Sequence, residues 1–203
     1  MAYDARRETI LETAASLFAT QGYERTTIRD VARAAGISVA GLYYYVRSKD
    51  ELLYRICERS FTMVLDSLTE KLATTPDPRS RVRVVIRNHF EHFLRHMNAM
   101  KVLTRELDAL QGAQAAQIYA LRHRYYTICR NVVSGVAVTA MPPRLATMAL
   151  FGMLNWIHMW YRPEADGNAD ALADGMTRIF LDGYASASPE ARTPWTRSTA
   201  ASR

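Results

Sequence analysis

The stretch from Thr26 to Leu53, TTIRDVARAAGISVAGLYYYVRSKDELL, leaves room for little except short helices separated by tight breaks. Thr26 and Thr27 offer N-cap hydroxyls ahead of a run in which Ile28, Val31, Ala32 and Ala35 recur at intervals of three and four. Gly36 stops that run as a C′ glycine, and Ile37 is expected to plug the turn. Ser38 opens a second short helix through Tyr45. Ser48, with Glu51 three residues on, reads as a capping box for a third. Two short helices around an Ala-Gly-Ile-Ser turn match the helix-turn-helix pattern, in which the second helix enters the DNA major groove.

The first helix, Tyr3–Thr20, carries Ile10, Ala14, Leu17 and Phe18 on one stripe, and Gly22 closes it. It must pack on the helix-turn-helix, which is too short to enclose a core alone. The helix after Ser48 runs to about Leu72 and links two domains, 1–47 and 48–185. Further helices are expected over 79–97, 101–110, 114–138, 144–161 and 170–185. Residues 186–203, rich in Ser, Thr, Ala, Pro and Arg, read as a disordered tail. No stretch has strand periodicity. The expected fold is all-α, with about nine helices.

A net charge of +6 over 203 residues does not favour the head. Residues 1–60 hold nine Lys and Arg against eight Asp and Glu, so phosphate binding must come from placed donors, not a bulk field. Cys57 and Cys129 have no partner spacing for a disulfide or a metal site, so neither a metal nor a cofactor is expected. No catalytic constellation appears: no paired carboxylates on one helix face, no His/Cys spacing, no glycine-rich phosphate loop. The charged amphipathic N-terminus and the absence of a long apolar run point to a cytoplasmic protein with no membrane partner.

Three sequences carry a family resemblance: A-x-x-L-F-A-x-x-G-Y from Ala14 to Tyr23, T-T-I-R-D-V-A-R-A-A-G-I-S from Thr26, and G-L-Y-Y-Y-V-R-S-K-D-E-L from Gly41. Together they resemble the TetR family of bacterial transcriptional regulators. That resemblance implies a homodimer on a palindromic double-stranded DNA operator, released when a small molecule binds the C-terminal domain. Arg122 to Gly135 and Leu150 to Pro163 further resemble a subgroup of fatty-acid and steroid-catabolism regulators that respond to acyl-CoA thioesters. The alternative is a DNA-binding regulator whose effector is a free lipid, an aromatic compound or a partner protein.

By position, Val39 and Ala40 suit thymine methyls, while Ser38 and Gly41 allow close approach. Arg29 is the candidate for bidentate guanine recognition. The family pattern assigns Tyr43 and Tyr44 to phosphates, with Tyr45 at the edge. The packing alternative puts one or two of these rings on the first helix. Thr27 is a phosphate donor, an N-cap, or both. Lys49, at a helix N-terminus, is a candidate phosphate clamp.

The candidate pocket lining is Phe90, Phe93, Leu103, Leu107, Tyr126, Phe151, Asn155, Trp156 and Met159, with plain core packing as the alternative. Asn155 stands out, because a buried amide needs partners. For a CoA ester, Arg122, Arg124 and Arg130 are candidate phosphate cations, and the Arg79–Arg87 cluster is a second choice. His89 reads as a satisfied core histidine, and Glu106 needs a partner if buried. Helix 144–161, apolar nearly all round, and helix 170–185 are expected to form the dimer interface. The expected switch is a shift of the helix beginning at Ser48, pushed near Leu68.

Overall fold

In the computed structural model, residues 2–136, 141–166 and 168–184 are described. The expected tail over 186–203 and the last two residues of the expected helix 114–138 lie outside them. All regular structure among the described residues is helical: α1 (Ala2–Gln21), α2 (Ile28–Ala34), α3 (Val39–Tyr43), α4 (Lys49–Ala73), α5 (Pro78–Arg95), α6 (Met97–Arg105), α7 (Gly112–Ser134), α8 (Pro143–Asn155), α9 (Ile157–Trp160), α10 (Pro163–Asp166) and α11 (Ala169–Tyr184). A 3-10 turn, Leu107–Ala109, follows α6.

The breaks have local causes. Gly36 ends α2 with φ +65°, and the Ile37 N–H returns to the Ala32 carbonyl at 3.0 Å. Ser38 caps α3, its hydroxyl accepting from the Gly41 N–H at 3.0 Å. Ser48 caps α4 through the Glu51 N–H at 3.0 Å. The expected box is only half made, because the Glu51 carboxylate accepts from the Arg47 N–H at 2.8 Å instead. The expected helix 101–110 starts earlier, at Met97, and ends at Arg105, where Glu106 leaves helical geometry at φ −117°. The expected helix 144–161 is broken. His158 Nδ1 takes the Asn155 carbonyl at 2.9 Å, and a single turn, α9, restarts beyond Trp156.

Two apolar cores result. The head core joins α1, α2 and α3 to the first half of α4. Alone these do not close it: Val102, Leu103, Leu110 and Ile118, from α6 to the start of α7, complete it. The second core joins the rest of α4 to α5, α7, α8 and α11. Cys57 and Cys129 are free thiols, one in each core, and burial pushes both up to about 12.

The arginine cluster on α5 is absorbed by the fold. Arg79, Arg83 and Arg87 pair with Asp182, Asp174 and Asp170 of α11, Arg83 Nε to Asp174 at 2.8 Å. Arg81 caps the end of α4 through the carbonyls of Leu72 and Thr75, both at 2.8 Å. The cluster staples helices and is not a free anion site. Ile179 of α11 is 64% exposed. Gly152 is exposed, with nothing within 4 Å of where a Cβ would stand, so no backbone of the same chain comes close there.

Candidate DNA-reading face and effector cavity

On the head, Thr27, Arg29, Ser38, Val39, Ala40, Tyr43 and Tyr44 are exposed and Gly41 is half-buried. Arg29 is exposed and makes no hydrogen bond or ion pair among the described residues. Thr27 caps α2 in a reciprocal box with Asp30, a pairing not foreseen from the sequence. Its hydroxyl donates to the Asp30 carboxylate at 2.6 Å, which occupies the proton a phosphate would take. The three tyrosines divide. Tyr45 stacks on Tyr3 of α1 with ring centres 5.0 Å apart. Tyr44 meets the same ring edge-on at 5.7 Å and remains 72% exposed.

Lys49 is occupied. Its ammonium donates to the carbonyls of Tyr23 at 3.0 Å and Glu24 at 3.4 Å, and lies 4.2 Å from the centre of the Tyr23 ring. The expected clamp therefore has its charge spent inside the head. Tyr23 is a hub: its ring packs on Phe18, its hydroxyl meets Asp50, and its backbone N–H donates to Glu106 Oε1 at 3.3 Å. Burial, then the hydrogen bond to Asp50, pushes the Tyr23 phenol well up, so it stays a proton donor. Glu106, which needed a partner, finds it in the turn between α1 and α2.

A cavity of about 1150 Å³ opens between α4, α5, α6, α7, α8 and α9. Leu103, Leu107, Arg122, Tyr126, Phe151, Asn155, Trp156 and Met159 line it. Phe90 and Phe93 do not: both are fully buried in the second core. Arg130 does not either, and its guanidinium lies 5.9 Å from the Tyr126 ring centre. The sequence reading missed Arg105, His89, His92, His158 and Tyr125, all in the wall. His89, expected as a satisfied core histidine, is buried but also lines the cavity. Its Nδ1 meets the Tyr125 hydroxyl at 3.1 Å, while its Nε2 closes no hydrogen bond of good geometry. The spacing His89-x-x-His92 on one helix face was the available signal.

The cavity meets α4 at Ser60, Phe61 and Val64, not at Leu68, which is sealed in the second core. It also meets α6 directly. Met100, Leu103, Thr104 and Arg105 face it, while Val102 closes the head core. Among the described residues no group of His, Cys, Asp and Glu is arranged to hold a metal ion, and no helix is long and apolar enough to cross a membrane.

Residues 10–56 match the family model described as bacterial regulatory proteins, tetR family, and residues 75–184 match the tetracyclin repressor-like C-terminal domain. The chain belongs to the TetR family. It is accordingly a DNA-binding transcriptional regulator and not an enzyme. The likeness runs through the C-terminal half of this TetR-family chain. The HTH-type transcriptional repressor KstR2 of Rhodococcus jostii (strain RHA1) is 27% identical over 187 residues, covering 89% of this chain and 92% of the repressor. A TetR-family regulator from Bordetella parapertussis 12822 superposes with a TM-score of 0.81 at 31% identity, over 88% of this chain and 95% of its own. AibR, solved in complex with isovaleryl coenzyme A and operator DNA, superposes with a TM-score of 0.77 at 26% identity, over 86% of this chain and 97% of its own.

Proposed function

We propose that this TetR-family regulator is a repressor that binds a palindromic operator as a homodimer and leaves it when an acyl-CoA thioester enters the cavity. Residues 1–47 supply the DNA-binding head and residues 48–185 the sensor and dimer surface. Arg29 reads a guanine, Val39 and Ala40 meet thymine methyls, and Ser38 and Gly41 bring the α3 backbone close. Tyr43 and Tyr44 hold phosphates. Lys49 keeps the α1–α2 turn on the start of α4 through Tyr23, and acts on DNA only through that turn.

The observation that carries the effector reading is the position of α6. One face of it is cavity wall, another completes the head core, and Glu106 just beyond its end holds the Tyr23 N–H. A ligand that moves α6 therefore moves the head, provided it binds one head arrangement better than the other. Arg105 and Arg122 at the exposed rim suit the phosphates of CoA. AibR supports the ligand class, being a fold relative that holds an acyl-CoA and operator DNA. For the dimer, Trp160 and Ile179 leave large apolar surface exposed on α9 and α11, and an isologous bundle of helices α8 to α11 with a second copy covers it.

A thermal-shift comparison of octanoyl-CoA, octanoate and free CoA tests the class. Stabilisation by octanoyl-CoA alone is expected. Stabilisation by octanoate but not by the CoA ester would replace this effector with a free lipid.

A further inference from the structure

Two buried ring nitrogens in the cavity wall, His89 Nε2 and His92 Nε2, close no hydrogen bond of good geometry, and Asn155 is the side chain within reach of the His89 ring. His89 is 3% exposed and His92 8% exposed. They stand three residues apart on α5, the spacing that puts side chains on one helix face. Both residues line the cavity. Buried polar atoms without partners are rare in folded proteins, because each forfeits its hydrogen bond to water. Two together in a cavity wall mark a place where something else supplies the partner.

We infer that His89 and His92 form a polar seat for an uncharged oxygen, a hydroxyl or a carbonyl, carried on the otherwise apolar body of the effector. The inference rests on the reading of the cavity as an effector site and specifies what that effector must carry.

The chemistry of the seat selects the group. Burial holds His89 down at about 4, and burial, with His96 and His89 nearby, holds His92 down at about 3, so both rings are neutral at pH 7. A neutral imidazole offers one N–H and one lone pair. Asn155, also in the wall, is within hydrogen-bonding reach of the His89 ring and favours its charged form, but burial outweighs it. A ligand cation is disfavoured, because Arg59 and Arg95 already act on His92. A carboxylate gains little from Arg59, which is already paired with Glu8, and must give up its hydration against two neutral imidazoles. A hydroxyl or carbonyl oxygen meets neither penalty. Phe61, Val64 and Phe151 line the same cavity and take apolar bulk, and the phosphate-binding arginines belong to its rim. A plain alkyl chain fits the walls but leaves both nitrogens unpaired.

Two measurements on the full chain test the seat. In the first, histidine side-chain nitrogens are followed by NMR while cyclohexanone is added. The His89 and His92 Nε2 resonances are expected to shift together and saturate. Unchanged resonances at saturating ketone overturn the seat, whatever CoA esters do. In the second, calorimetry compares octanoyl-CoA with 8-hydroxyoctanoyl-CoA. The hydroxylated ester is expected to bind about tenfold tighter, a gain lost in His92→Leu, with circular dichroism confirming that the variant folds. Equal binding of the two esters overturns the seat but leaves the acyl-CoA reading standing. A ketone-induced shift with no binding of either ester keeps the seat and removes the CoA ester.

Discussion

The backbone N–H of Tyr23 donates to the carboxylate of Glu106 at 3.3 Å, across 83 residues of sequence. One partner lies in the turn that opens the helix-turn-helix, the other at the end of a helix that walls the cavity. Replacing Glu106 by Ala removes the acceptor. A loss of about 1 kcal/mol in stability is expected, the usual net value of one hydrogen bond. Operator release by octanoyl-CoA is expected to weaken at least threefold in the ratio of bound to unbound Kd. Anisotropy titrations of labelled operator, with and without the ester, read that ratio. An unchanged ratio removes Glu106 from the coupling path.

Arg29→Ala is expected to weaken operator binding by the ~1–3 kcal/mol of a bidentate base contact, at constant salt, with the helical spectrum and solution mass unchanged. The salt dependence of binding stays near that of the wild type, because no phosphate contact is lost. Footprinting at unchanged affinity would mean that some other group reads the base.

The two arginine groups separate cleanly. Arg83 is half exposed and paired with Asp174, so Arg83→Ala costs stability of roughly 0–1 kcal/mol, as exposed ion pairs do, and leaves octanoyl-CoA affinity unchanged. Arg122→Ala leaves thermal stability near the wild-type value and weakens the ester. Calorimetry on both variants checks this, and the reverse pattern would place the CoA phosphates against α5.

Stability should depend on pH through the buried histidines. Both imidazoles titrate in the folded chain below their ordinary 6.5, His89 near 4 and His92 near 3, with burial the first cause. The unfolded chain therefore binds protons first as pH falls. Stability is full above about 6.5 and drops between there and 4, by ~1.4 kcal/mol per pH unit for each such group. His89→Gln removes one titrating group and flattens that slope, as chemical denaturation between pH 7 and 4.5 reads directly.

Much of the fold could be read in the sequence because its signals are local. Gly22 and Gly36 take the positive φ that their C′ positions demand, and Ser38 and Ser48 cap the helices they precede. What escaped was tertiary. Nothing near Lys49 in the sequence announces that the Tyr23 and Glu24 carbonyls will claim its ammonium. The pairing of Arg79, Arg83 and Arg87 with α11 joins residues more than 80 apart in sequence. Phe90 and Leu103 carry the same apolar signal, yet only Leu103 reaches the cavity, because the choice depends on how α5 and α6 are rotated against their neighbours.

The coupling of cavity to head is tested most directly by one titration. An operator selected from random duplexes is held with the protein at fixed salt, and its Kd is measured by anisotropy at zero and at saturating octanoyl-CoA, saturation being set by calorimetry. A rise in Kd within the 5–150-fold range typical of coupled sites is the expected result. An operator Kd that does not move while the cavity is full would contradict ligand control of the head.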